Sequence, residues 1–152
     1  MKKPNYLIVF VLDRQRYALQ LSMVDRVVRM VAITPLPKVP DIVLGVVNVQ
    51  GQVIPVINMR RRFSLPEREI VLTDQLVVAH TARRTVALVA DAVLDVIASP
   101  AQSLIETEDI LPKIEYVDGV IKLADGMILI HDLDSFLSLE EENSLDQVLE
   151  TS

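Results

Sequence analysis

His131-Asp132 is the pair in this sequence best suited to acid–base chemistry, because a carboxylate beside an imidazole can orient it or raise its basicity. Adjacent residues in or near a strand point to opposite faces, however, so the two would not serve one site. The plain reading of His131 is a surface or strand-end histidine. His80, at the end of an apolar run just before a hairpin, has the same plain reading. Glu106, Glu108 and Asp109 fall in a loop-like segment, where solvation accounts for them. No spacing of these residues gives a metal cluster, and the absence of Cys removes zinc-ribbon, thiol-protease and redox-motif readings. With only Gly45, Gly51, Gly119 and Gly126, neither a dinucleotide fingerprint nor a phosphate-cradling loop can be written, so no cofactor is expected. Arg60-Arg61-Arg62 is the one basic cluster. It reads first as a solvated strand end and second as a contact patch for an acidic partner.

The elements that must hold these residues are small and apolar. The chain has 152 residues, 51% of them hydrophobic and 4% aromatic, which suits one domain with a substantial buried core. All 15 Lys and Arg lie before residue 123, whereas Asp125, Asp132, Asp134, Glu140, Glu141, Glu142, Asp146 and Glu150 follow with no base. A near-neutral body with an acidic tail offers no basic face for a phosphate backbone, which argues against nucleic acid. A β-barrel module for oligonucleotides would also need aromatic stacking platforms that six aromatics hardly supply. The apolar run after Lys2-Lys3 is seven residues long and ends at Asp13-Arg14, so it reads as a buried strand rather than a leader or a membrane span.

Short Val/Ile/Leu/Tyr runs separated by charged or Gly/Pro punctuation predict an all-β fold. The expected strands are 6–12, 17–21, 24–30, 46–49, 53–57, 75–80, 85–89, 93–98, 116–121 and 127–130. Pro35, Pro37 and Pro40 make a stiff connector. Helix is expected only near the end, with Asp134 and Ser138 as candidate caps and Glu140 to Glu142 in a favourable first turn. Residues 45–59 and 119–133 echo one another as Gly, short strand, Gly-containing turn and longer apolar strand. Two related halves predict two small barrels packed together, and pattern alone leaves open whether they are sequential or interwoven.

The string GVVNVQGQVIPVINMRRRF, Gly45 to Phe63, resembles the central signature of the CheW family of chemotaxis coupling proteins. The segments around Phe10 to Leu12, Tyr17-Ala18-Leu19, Ile33-Thr34, Pro37 and Pro40, and Arg84 to Asp91 with Val93 and Val96, are similar to the family at its spacings. The resemblance implies two SH3-like five-stranded β-barrels sharing a hydrophobic core, with a short C-terminal helical segment. On it, residues 1–136 form one domain of two interwoven barrel subdomains, and 137–152 an acidic helical tail. It also implies a non-enzymatic, cytoplasmic adaptor at receptor arrays, with no membrane insertion. Such an adaptor joins the hairpin tip of chemoreceptors to the regulatory domain of a CheA-type histidine kinase.

By the same resemblance, Val24, Gly45, Ala87 and Val96 match receptor-contact positions, and Ile33, Thr34 and Leu44 match a kinase-contact region. The apolar stripe of a helical hairpin would lie in a groove walled by Val24 and Val96. Two positions depart from the family. Gln50 stands where Arg is usual, and Arg26 where Glu is common. An Arg–Glu pair joining those positions is therefore unavailable here. Service in a twitching or other non-flagellar pathway is the alternative this implies.

Overall fold

The apolar runs become strands whose two faces are both buried. In the computed structural model, which describes residues 6–98, 104–105, 117–123 and 126–150, β1 (Tyr6–Leu12) sends Leu7 and Val9 to one cluster and Ile8, Phe10 and Leu12 to another. That double burial is why Tyr6–Leu12 reads as a continuous hydrophobic run rather than an alternating one. The remaining elements are β2 (Gln15–Gln20), β3 (Val24–Arg29), β4 (Val43–Val49), β5 (Gln52–Ile57), α1 (Met59–Arg62), β6 (Gln75–His80), β7 (Thr85–Ala90), β8 (Ala92–Ala98), β9 (Leu104–Ile105), β10 (Val117–Leu123), β11 (Gly126–His131) and α2 (Leu139–Glu150).

Two sheets result, ordered β8-β1-β2-β11-β10-β9 and β3-β6-β7-β5-β4. The chain starts the first sheet, builds the whole of the second from β3 to β7, and returns to the first at β8, so the two are interwoven. Most pairings are antiparallel, but β2–β11 and β5–β7 are parallel, as a return from a distant segment permits. The second sheet closes on itself, because the chain leaving β3 bridges its far edge: Thr34 N donates to Val46 O at 2.8 Å, and Val46 N to Thr34 O at 2.9 Å. Closure of this kind covers an edge. The fold is all-β with SH3-like barrels, as expected. Beyond the ten expected strands stands the two-residue β9, in the loop-like gap between the eighth and ninth of them.

Each sheet has its own core, and a third cluster joins them. Leu7, Val9, Ala18, Ile121, Ile128 and Ile130 fill the first; Val47, Val49, Ile54, Val56, Leu76, Val78 and Ala87 fill the second. Phe10, Leu12 and Leu19 meet Ile57, Met59, Val77 and Leu88 in the shared cluster, with Leu133, Phe136 and Leu145 added from the C-terminal segment. Strand alternation makes the division: β6 turns Leu76 and Val78 inward and Val77 and Ala79 toward the shared cluster.

The arginine run is not a solvated strand end. Asn58 caps a four-residue helix, its side-chain oxygen accepting from Arg61 N at 3.0 Å, and each arginine is committed to an acid of the same chain. Arg60 grips both oxygens of Asp91 at 2.9 and 2.7 Å, Arg61 pairs with Glu67 at 2.8 Å, and Arg62 holds Glu141 of α2 at 2.6 Å. Burial pushes the Asp91 carboxyl up, but the Asp13 amide and the Arg60 and Arg68 guanidinium groups outweigh it and hold Asp91 below its ordinary value.

The acidic C-terminal helix is therefore docked on the body. Besides Glu141 on Arg62, the buried Glu142 pairs with Arg84 at 3.2 Å and Arg83 at 3.3 Å, and Leu145 enters the shared cluster. Ser138 and Glu141 form a reciprocal cap, with Glu141 N to Ser138 Oγ at 3.1 Å and Ser138 N to Glu141 Oε1 at 2.8 Å. Ser138→Ala should cost this helix about 1 kcal/mol, raising exchange of its amide protons about fivefold with the β-sheet amides unchanged. Equal exchange in parent and variant would show that the cap contributes nothing.

Candidate protein-docking surfaces

At one end of the second barrel, β3, β6 and the tip of the β4–β5 hairpin enclose a cleft of about 500 Å³. Its floor holds Val24, Val49, Ile54 and Val78, and its rim Asp25, Arg26, Gln50 and Gln52. The hairpin tip is a two-residue turn with Gln50 and Gly51 at φ +50° and +85°, the geometry that follows right-handed strand twist. Asn48 Oδ1 fixes it by accepting from Gly51 N at 2.8 Å. So held, Gln50 presents its side-chain oxygen to Arg26 Nη1, which donates to it. The two departing positions thus do touch, through a neutral acceptor. Asp25 is occupied by His80 Nδ1 at 2.8 Å, which leaves His80 a surface residue at a strand end.

The other end of β4 carries a second surface. Leu44 and Ile33 lie half-buried against the barrel core, and Thr34 is exposed above them. Gly45 lies beneath: a Cβ there would stand 2.3 Å from Thr34 O and 3.0 Å from Ile33 Cγ2. Its site is thus under the expected kinase patch, buried, and not in the cleft with Val24. Ile70 lines the same hollow as Leu44, and the neighbouring Val71 and Leu72 are exposed, Leu72 at 89%. This loop is braced from below. Arg68 grips the buried Asp74 at 2.6 and 3.0 Å and Asp91 at 2.7 Å, and Asp74 also accepts from Val71 N at 2.9 Å.

Two expected contact residues lie elsewhere. Ala87 has 0% exposure, its methyl packed in the barrel core beside Val56 of the parallel β5, so it has no surface to offer a partner. The resemblance that points to Ala87 carries no information on burial, and a run buried on both faces, as Thr85–Ala90 is, does not mark which side chains reach the surface. Val96 is 45% exposed on β8, the outer strand of the other sheet, and does not line the cleft with Val24.

His131 is not a surface histidine. It is 3% exposed, with its ring 4.4 Å from Phe63, 4.6 Å from Tyr17, 5.2 Å from Phe136 and 5.7 Å from Phe10. Neither ring nitrogen has a hydrogen-bond partner, and burial lowers its pKa to about 3. A neutral imidazole walled by four aromatic rings is a packing element. The rings come from four separate segments, so no local signal marks it. Glu106, Glu108 and Asp109 lie outside the described residues. Among the described residues, no group of three or more His, Asp or Glu could hold a metal ion, and no helix is long and apolar enough to cross a membrane.

The family model of the CheW-like domain matches residues 6–141. The chemotaxis protein CheW of Rhizobium meliloti (strain 1021) is 29% identical over 140 residues, covering 91% of this chain and 90% of the relative. Protein FrzA of Myxococcus xanthus is 33% identical over 79 residues, 52% of this chain and 49% of that protein. The crystal structure of the scaffolding protein TtCheW from Thermoanaerobacter tengcongensis superposes with a TM-score of 0.80 at 28% identity, covering 93% of this chain and 92% of that one.

Proposed function

The chain belongs to the CheW family, and from that premise we propose that it is a non-enzymatic cytoplasmic scaffold coupling chemoreceptor tips to the regulatory domain of a CheA-type histidine kinase. One observation carries this reading: the second barrel offers two separate surfaces at opposite ends of the same strand. The cleft lies by Val49 and Gln50 and the other patch by Leu44, six residues apart on β4 and its turn, or roughly 20 Å at about 3.4 Å per residue. Surfaces so separated on one rigid strand present two distinct contact sites in fixed relation. Receptor contact is assigned to the cleft with Val24 and, on the first sheet, to Val96. Kinase contact is assigned to Ile33, Thr34 and Leu44, extended by the braced loop at Ile70 to Leu72.

The two arms separate experimentally. Leu72→Asp, at a side chain with almost no packing, should leave stability unchanged and weaken binding of the kinase regulatory domain at least tenfold, with receptor-fragment binding intact. Val96→Asp should do the reverse. Titration calorimetry with each purified partner reads both, and a chain that binds neither partner in its parental form refutes the scaffold reading. The partial similarity to FrzA and the residues at 26 and 50 favour, as a second reading, the same coupling in a non-flagellar chemosensory pathway.

A further inference from the structure

We propose that the cleft beside Arg26 is a carboxylate-reading subsite, so that the receptor segment docking there carries an Asp or Glu directed at that guanidinium. The inference rests on the receptor assignment above and adds the chemistry that selects the partner. Among the described residues, Arg60, Arg61, Arg62, Arg68, Arg83 and Arg84 each pair with a carboxylate of this chain. Arg26, like Arg14 and Arg29, has no such pair among the described residues, but a side chain of the cleft holds it. Its neighbour in sequence, Asp25, is taken by His80, and the group that holds Arg26 is the uncharged amide of Gln50.

That arrangement orients a cation without neutralising it. Gln50 accepts from one Nη of a fork that has five donors, so the remaining donors and the whole positive charge stay available. The orientation is built in. Gln50 sits in the left-handed region at φ +50°, a conformation disfavoured for a non-glycine residue, and the Asn48–Gly51 hydrogen bond keeps the turn in that shape. Arg26 itself lies on β3, whose pairing with β6 sets its backbone. A carboxylate arriving there meets a prepositioned guanidinium, the bidentate geometry that Arg favours over Lys. The occupant is accordingly a receptor helical segment that presents an acid to the polar rim of the cleft.

The test uses full-length protein and the organism's own chemoreceptor cytoplasmic fragments, with affinity measured at several salt concentrations. Arg26→Glu is expected to weaken binding at least tenfold, and Arg26→Gln to remove most of the salt dependence that the parent shows. Gln52→Trp, which fills the cleft from an exposed rim position, should weaken binding as well. Replacing the responsible fragment acid by Lys should restore affinity for Arg26→Glu. If Gln52→Trp blocks binding while both Arg26 variants stay within twofold of the parent at every salt concentration, the carboxylate subsite is wrong and cleft docking survives. If all three variants bind within twofold of the parent, the receptor does not dock here, and the receptor assignment fails with the subsite.

Discussion

Gly45→Ala is expected to cost on the order of 3 kcal/mol or more and to open the second barrel at its seam. The added methyl would stand 2.3 Å from Thr34 O, a backbone atom, and the backbone at φ +149° strains any L side chain. Relief requires the connector at Ile33 and Thr34 to move off β4, which breaks the paired hydrogen bonds between Thr34 and Val46. Those two bonds join the ends of the second sheet. Gly51→Ala is the control, since φ there is +85° but nothing lies within 4 Å of the new methyl. Strain alone should then cost about 1 kcal/mol. Urea denaturation gives the two stabilities, and amide exchange at Thr34 and Val46 reports the seam. On the reading proposed above, Gly45→Ala also weakens kinase binding more than receptor binding, because the displaced residues belong to that patch. Equal stabilities for the two variants, with Thr34 and Val46 still protected, would show that the seam does not depend on this glycine.

How far the sequence reveals this arrangement depends on how local each cause is. Strands β1, β6 and β7 are legible because both of their faces are buried, so residues 6–12, 76–79 and 86–90 are continuous apolar runs. The hairpin tip at Gln50-Gly51 and the cap at Ser138 are legible because turns and caps are written in consecutive residues. The four-residue helix at Met59–Arg62 is too short to show a period and follows directly on a strand, which is why Arg60 to Arg62 read as a strand end. Their acids, Asp91, Glu67 and Glu141, are between six and 79 residues away in sequence. At the docking surfaces, Val24, Ile33, Thr34 and Leu44 are expected contacts on the family resemblance alone, and only the fold separates them into two ends of one barrel. Ala87, expected from the same resemblance, lies in the core, and the sequence does not show this, since an alanine in an apolar strand looks alike whether it faces a groove or a core. The Ile70-Val71-Leu72 loop has the composition of a strand, and the Arg68–Asp74 brace that turns it outward is invisible without coordinates.

Lowering the pH from 7 to 4 should remove about 3 kcal/mol of stability through His131 alone. In the unfolded chain a histidine titrates near about 6.5, whereas burial lowers the folded value to about 3. Between those values the unfolded chain binds the proton and the folded chain does not, so stability falls as pH falls through 6.5 and levels off below about 3. The rings of Phe10, Tyr17, Phe63 and Phe136 surround the imidazole, and no carboxylate is among these packing partners to stabilise its cation. Asp91 and Glu141, whose carboxyls are held below their ordinary values, also lose stability in acid, but only from about pH 5 downward, as pH falls through the ordinary carboxylate range. His131→Leu isolates the histidine, since it removes the titration together with two nitrogens that make no hydrogen bond. Urea unfolding of parent and variant at pH 7, 6, 5 and 4 should give curves that diverge below pH 6.5, with the variant at least as stable at pH 7 and ahead by about 3 kcal/mol more at pH 4. Parallel curves over that range would mean that His131 takes up its proton as readily in the folded chain as in the unfolded one, and that the aromatic enclosure does not exclude charge.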